Sequence, residues 1–366
     1  AVPANDAGVS SIVAPVSPAQ PGANAIQVIV KNYGTANLTA VTIYYSVNGS
    51  TPVSTPWTGN LPSGASSAPV SLGSFNFVTG SAGIRAWTSL PNGVTDVITI
   101  NDTATSTINV CSPLAGTYTI GDTALGADFH GFNAAVAQLA SCGVAGPVTM
   151  NVLPGMYNEQ VTIPEIIGAS NASRVTFQSS TGYPADVVLH YQSVFSNSNF
   201  VLLLNGADFI DIRNMTIQSD TGTYGRSLVM QGECEFILIE GNRLQTFKST
   251  SSGSCPLYAY PAQPKFTIIS NNEIRGGYYG IYFYGSSATV LGENNIIENN
   301  VVANYNYYGI RGYYQDNFMV TGNQLSNASN STTVYALSFG YCQNASNISG
   351  NRVTASGSSG NYLLYL

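Results

Sequence analysis

Three carboxylates and one cation are the residues of this chain best suited to acting together chemically. Asp208, Glu233 and Glu235 fall at corresponding turns of neighbouring repeats, with Arg226 shortly before the last two. Carboxylates held at different proton affinities perform acid–base hydrolysis, so these four are the strongest catalytic candidates. Solvated turn carboxylates account for the same residues, and no catalytic residue is assigned. His190 ends an apolar strand and reads as structural, and His130 reads as part of a helix cap. Cys111, Cys142, Cys234, Cys255 and Cys342 lack CxxC or Cys/His spacing. No metal site and no cofactor is indicated; a structural calcium ion is compatible with the acidic turns, but nothing points to one.

A second candidate is a binding surface. Tyr258, Tyr260, Tyr282, Tyr284, Arg311 and Tyr313 occupy outward positions of successive short strands, where an exposed aromatic ladder is expected. Tyrosine offers rigid, amphipathic contact area, and an apolar patch of that size marks a partner, here a glycan stacking on the rings or another protein subunit. Cross-strand pairing worth about 0.2–1 kcal/mol per pair is the competing account. Tyr278, Tyr279, Tyr305, Tyr307, Tyr308 and Tyr314 crowd the adjoining turns.

The elements that position these residues repeat at intervals of roughly 23 to 30 residues from Leu202 onward. Leu202 and Leu204, Leu228 and Met230, Leu257 and Ala259, Ile281 and Phe283, Ile310 and Gly312, and Leu337 and Phe339 share the inward face of first strands. Second strands are expected at 209–212, 236–239, 266–269, 288–291, 318–320 and 346–348. An Asn then precedes an apolar residue by two: Asn242, Asn272, Asn300, Asn323 and Asn351, with Asn214 one residue out of step. Such strands bury a face only by stacking. The expected fold is a right-handed parallel β-helix, with the Asn column as a structural ladder.

Charged residues make up 8% of the chain and the net charge is −7, against about 25% charged in ordinary domains. That leaves no footprint for nucleic acid. No apolar run approaches the roughly 18–20 residues of a membrane span. The polar, uncharged composition and the absence of a leader before Ala1 suit a processed, secreted or cell-surface protein, in which Cys111–Cys142 and Cys234–Cys255 are candidate disulfides and Cys342 is left over. Sequons such as Asn37-Leu-Thr39, Asn171-Ala-Ser173, Asn327-Ala-Ser329 and Asn344-Ala-Ser346 leave glycosylation open.

Residues 1–110 read as seven strands separated by turn signals such as Asn48-Gly49 and Asn92-Gly93, hence a β-sandwich. Ile26-Gln-Val-Ile-Val-Lys-Asn-Tyr-Gly34 and Val41-Thr-Ile-Tyr-Tyr-Ser-Val-Asn-Gly49 resemble the immunoglobulin-like CARDB modules of secreted bacterial surface proteins, which implies a spacer or adhesion unit. Residues 111–145 read as a linker and cap helix, with Phe129, Phe132, Ala135, Val136 and Leu139 at helical spacing and Asp128 as N-cap. Residues 146–366 are then the β-helix. The Asp-Phe start, the Ala-rich helix and Pro154-Gly-Met-Tyr-Asn-Glu159 are similar to the opening of pectinesterase and pectin-lyase-like proteins. That resemblance implies the fold. It carries over no catalytic site, because Asp208-Phe-Ile-Asp-Ile212 lacks the esterase Phe-Gly and no Arg-x-Lys motif occurs.

Tyr362-Leu-Leu-Tyr-Leu366 reads as the first strand of a further coil. The expectation is a chain that continues beyond this sequence, or one completed by another subunit, with self-assembly through that end. The functional expectation is a non-catalytic adhesin or filament-forming surface protein, with a polysaccharide-active enzyme (lyase, esterase or hydrolase) and a glycan-binding module as alternatives.

Overall fold

The computed structural model describes residues 2–328, 333–356 and 360–365. Ser329 of one sequon and the terminal Leu366 lie outside the described residues. The chain forms two compact units, Ala1–Pro113 and Leu114–Leu366.

In the first unit, alternating apolar residues build two antiparallel sheets. One orders Ala7–Ala14, Gly22–Asn32 and Val70–Phe77; the other orders Val53–Leu61, Leu38–Val47, Gly80–Ser89 and Thr103–Val110. Ile26, Val28 and Val30 meet Ile43, Tyr45, Val47, Ile84 and Ala86 in one core, as a period of two requires. Asn48 and Gly49 both adopt positive φ, the turn geometry that matches strand twist. Asp6, Asp96 and Asp102 are buried. Asp96 accepts from the Ala7 and Ile98 N–H groups, each at 3.0 Å, and Asp6 accepts from Asn101 at 2.9 Å. Asp102 Oδ1 has no hydrogen-bond partner.

In the second unit the strands stack in parallel into three sheets, a β-helix. The first sheet runs Val161–Pro164, Leu202–Asn205, Arg226–Glu235, Cys255–Lys265, Tyr279–Tyr284, Tyr308–Asp316, Val334–Gln343 and Asn361–Tyr365. The second begins with Leu114–Ile120 and Val144–Val152 and continues through Val175–Ser179, Ile210–Arg213, Leu238–Glu240, Ile268–Ser270, Ile296–Glu298, Met319–Thr321 and Asn347–Ser349. The third collects the strands between, from Gly155–Asn158 to Arg352–Ser356. Leu204, Met230, Ile281, Phe283, Ile310 and Phe339 fill the shared core.

Backbone corners recur in register. Phe209, Phe236, Phe266, Asn294, Asn317 and Asn344 all have φ between 50° and 58°. That conformation is uncommon for Phe, and here the three rings stack at 4.9 and 4.8 Å. At a second corner stand Asn214, Gly241, Asn271, Asn299, Gly322 and Gly350, again with positive φ. Each residue after this corner from Asn242 onward is a ladder asparagine. Asn272 Nδ2 donates to the Ile239 carbonyl at 2.8 Å and to Asn300 Oδ1 at 2.9 Å. Its own Oδ1 accepts from the Asn242 N–H and Nδ2 at 2.8 and 3.1 Å. Asn300 and Asn323 repeat the pattern toward Asn351.

Four expectations are corrected. Asn214 is a corner residue rather than a ladder member, and the Met215 N–H takes that place by donating to Asn242 Oδ1. Residues 288–291 hold a turn bridged at Ser287 and Val290, and the strand of that coil is Ile296–Glu298. The stretch expected as linker contributes Leu114–Ile120 to the stack. Helix Phe132–Cys142 starts from Gly131; Glu159 caps it, accepting from the Phe132 and Asn133 N–H groups at 2.9 and 2.8 Å, while Asp128 binds Thr119. Tyr305 does stand in the turn between Val301–Ala303 and Tyr308–Asp316, and its ring is fully buried.

Removing a ladder amide strands buried donors and acceptors on two coils, at about 1–3 kcal/mol. Asn272→Ala or Asn323→Ala is therefore expected to lower the Tm of the β-helix by several degrees in calorimetry, and unchanged melting in both would contradict the ladder's role. In the first unit, burial, then the charges of Asp96 and Asp6, push the Asp102 carboxyl up to about 6. A raised carboxyl favours the fold below its unfolded value of about 3.9, and that contribution is lost as pH rises through about 6. Asp102→Asn is expected to flatten the pH dependence of that unit's melting between those values and to raise its Tm at neutral pH; a lower Tm there would overturn the assignment.

Candidate functional site

The coil register gathers the carboxylates at one corner. The residues preceding the three stacked Phe rings are Asp208, Glu235 and Lys265, and Glu235 pairs directly with Lys265 across the sheet. Glu165, Gly206, Asp208, Glu233 and Glu235 line an open pocket of about 450 Å³. Lys265 Nζ contacts the Glu233 carboxylate and lies 3.0 Å from that of Glu235; these two bonds hold its pKa above the usual lysine range. Asp208 accepts the Glu235 N–H at 2.7 Å. Burial raises its carboxyl, a shift opposed by that hydrogen bond and reinforced by Glu235, Glu165 and Glu233. A carboxyl kept high beside lysine-paired carboxylates is an arrangement able to hold one proton for transfer.

Arg226 does not join this pocket. It opens the strand that Glu233 and Glu235 close, and its guanidinium lies 3.5 Å over the Tyr258 ring. Sequence reasoning also passed over Glu165 and Lys265. The signal for Lys265 was present, because aligning Phe209, Phe236 and Phe266 aligns the residues before them.

The tyrosine positions do come together, but not as a freely exposed ladder. Tyr258, Tyr279 and Tyr284 are buried, Tyr282, Arg311 and Tyr313 are half-buried, and Tyr260 is 41% exposed. Ring faces are largely taken up by one another. Tyr258 stacks on Tyr282 at 4.8 Å, Tyr282 on Tyr284 at 4.1 Å and Tyr284 on Tyr313 at 5.0 Å, while Tyr279, Tyr308, Tyr335 and Tyr362 form a second column at 5.3, 5.1 and 4.7 Å. Several phenols also bond within the sheet, Tyr282 with Tyr284, Tyr258 with Arg226, and Tyr279 and Tyr313 with Arg311, which leaves Tyr260 and the half-buried Tyr282 and Tyr313 as the accessible part of the group. Burial first, then Tyr258, raises Tyr282 to about 12, so its hydroxyl stays a neutral donor at ordinary pH. Arg311 sits among these rings, 4.5 Å from Tyr308 and 5.0 Å from Tyr313.

Cys111 and Cys142 are disulfide-bonded. The expected Cys234–Cys255 bond is absent; both are buried free thiols, and Cys342 is free as well. The register pairs Cys255 with Arg226, eight residues before Cys234. At about 3.3 Å per residue that offset exceeds the roughly 7 Å reach of a disulfide. Burial pushes the two thiols up to about 11 and about 12 respectively. His190 pairs with Asp220 at 2.7 Å, away from either candidate site in the register.

The model of the family described as "Right handed beta helix region" matches residues 199–365. No curated protein matches the chain. Among solved structures, the CARDB domain of a Pyrococcus furiosus protein aligns at 23% identity over 30% of this chain and 91% of that one, with a TM-score of 0.24. Rice weevil pectin methyl esterase aligns at 12% identity over 62% and 80%, with a TM-score of 0.34. A GH87 α-1,3-glucanase from Streptomyces thermodiastaticus aligns at 14% identity over 90% and 68%, with a TM-score of 0.40. The chain is an N-terminal β-sandwich followed by a right-handed parallel β-helix, with CARDB and pectin methylesterase-like structures among its neighbours.

Lys265→Met removes the counter-charge of Glu233 and Glu235. The Asp208 carboxyl is expected to titrate at higher pH in this variant, with a stability loss of about 1 kcal/mol for an ion pair open to solvent on its Glu233 side. Carboxyl titration by NMR reads the shift, and an unmoved Asp208 would mean that the pocket carboxylates act independently.

Proposed function

We propose that this chain is a non-catalytic, surface-displayed adhesion module whose β-helix binds glycan through the tyrosine sheet. The observation that carries the reading is the pair of stacked tyrosine columns, a rigid aromatic face on which Tyr260 is exposed and Tyr282 and Tyr313 are half-buried. Phenol hydroxyls paired with ring edges suit polyhydroxylated ligands. Secretion agrees with the disulfide-bonded Cys111 and Cys142 and with the scarcity of charge.

A second reading, a polysaccharide-active enzyme, is favoured by one observation: the raised Asp208 carboxyl in an open acidic pocket. Release of new reducing or unsaturated ends from a polysaccharide, abolished by Asp208→Asn, would replace the adhesion reading.

The direct test is calorimetric titration of the full chain with a polysaccharide panel. Saturable binding is expected, weakened about three- to tenfold by Tyr282→Phe, the size of one lost hydrogen bond, and likewise by Tyr260→Ala, with each variant still folded at the titration temperature. Tyr284→Ala is unsuited to this purpose, because that ring is buried. Absence of saturable binding to every polymer, or binding indifferent to both substitutions, would remove the tyrosine sheet as the site.

A further inference from the structure

Most arginines of the β-helix face carboxylates. Arg174 and Arg213 meet Asp211, and Arg243 and Arg275 meet Glu273. Arg226 and Arg311 have no ion pair among the described residues, and the Nε of each is buried without a hydrogen-bond partner. Both lie on the tyrosine sheet and are linked by rings in contact. Arg226 lies over Tyr258, Tyr258 stacks on Tyr282, Tyr282 meets Tyr279 at 4.7 Å, and Arg311 lies 6.0 Å from Tyr279. In the register Arg311 stands opposite Tyr282, Tyr258 and Val229. With strands about 4.8 Å apart and residues about 3.3 Å apart, its backbone is roughly 17 Å from that of Arg226. Half-burying a guanidinium without a carboxylate is costly, and the cation–π contacts offset only part of that cost.

We propose that the ligand of the tyrosine sheet is an anionic glycan, a polymer carrying carboxylate or sulfate groups that pair with Arg226 and Arg311 while its hydroxyls meet the phenols between them. This inference rests on the glycan-binding reading above and narrows it. Arg226 hydrogen-bonds the Tyr258 phenol, and Arg311 those of Tyr279 and Tyr313; the remaining terminal N–H donors of the two guanidiniums suit pairing with a planar or tetrahedral anion. The spacing of the two cations requires a chain several sugars long rather than a single residue. The net charge of −7 makes recognition depend on these local cations, so binding weakens with salt.

The experiment titrates the full chain with a polyuronate, a sulfated polysaccharide and an uncharged polysaccharide, at low and high salt. One or both anionic polymers are expected to bind at least about tenfold more tightly than the neutral one, with the advantage reduced by salt and by Arg226→Gln and Arg311→Gln, each about tenfold as for a lost charge-assisted pair. Whichever anionic polymer binds identifies the group recognised. Arg311→Lys keeps the charge and serves where the Gln variant melts early; it is expected to fall between parent and Gln. Equal binding of neutral and anionic polymers, or Arg variants as good as parent, would overturn the anionic assignment and leave the glycan reading standing. Failure of all three polymers to bind would remove both.

Discussion

The structure depends on an amide turned inward and made to serve two coils at once. Every ladder asparagine of the stack donates through Nδ2 to a carbonyl of the preceding coil and accepts from that coil through Oδ1, and Asn300 also donates onward to Asn323, as Asn272 does to Asn300. A buried amide is tolerated only when its donors and acceptors are satisfied, and that holds here in one axial register. Slipping one coil by a residue would break the ladder and also invert the faces of three sheets. The left-handed residue before each ladder asparagine, Gly or Asn, aims the amide inward, which is why the motif reads Gly-Asn or Asn-Asn rather than Asn alone.

Register, once fixed, decides what stands beside what. It places Glu235 against Lys265, and Tyr282 between Tyr258 and Arg311. The tyrosine sheet is thus an outward face that packs like a core. Stacked pairs contribute on the order of 1 kcal/mol each beyond their burial, so much of the outer surface is spent on holding the coils together. The same packing takes the phenols of Tyr258, Tyr279 and Tyr284 out of water, which raises them, and embeds two guanidiniums among the rings.

The architecture was legible in the sequence wherever the determinant was periodic. All seven sandwich strands, the inward residues of the first sheet and the asparagine column follow from spacing alone. Reading failed where a coil broke the period: the turn after Gly285 displaces the next strand to Ile296, and the apolar residues at 288–291 imitated the strand they precede. It failed again where an interaction joins distant segments. Nothing local marks Glu159 as the cap of a helix that ends at Cys142, or brings Asp6 beside Asp102. For the candidate site, pattern placed the tyrosines on one sheet and the carboxylates at one corner, but exposure is set by neighbours on three coils, and Arg226 was grouped with the carboxylates by proximity in sequence when the strand carries it away from them.

That strand, Arg226–Glu235, separates two kinds of chemistry. Its first half bears Arg226 and Val229 beside Tyr258, and its second half bears Glu233 and Glu235 at the acidic corner. Between them the register slips after Met230 and Gly232 takes positive φ, which bends the strand at that point. A polyanion aligned with the strand would run from guanidinium into a pocket of four carboxylates, of which Lys265 neutralises at most one charge. Repulsion at that corner therefore disfavours binding along the strand and leaves the direction across the coils, from Arg226 over the tyrosines to Arg311, where successive strands present the same hydroxyls at the spacing of the sheet. On the anionic-glycan proposal, the acidic corner would set the ligand's orientation without touching it.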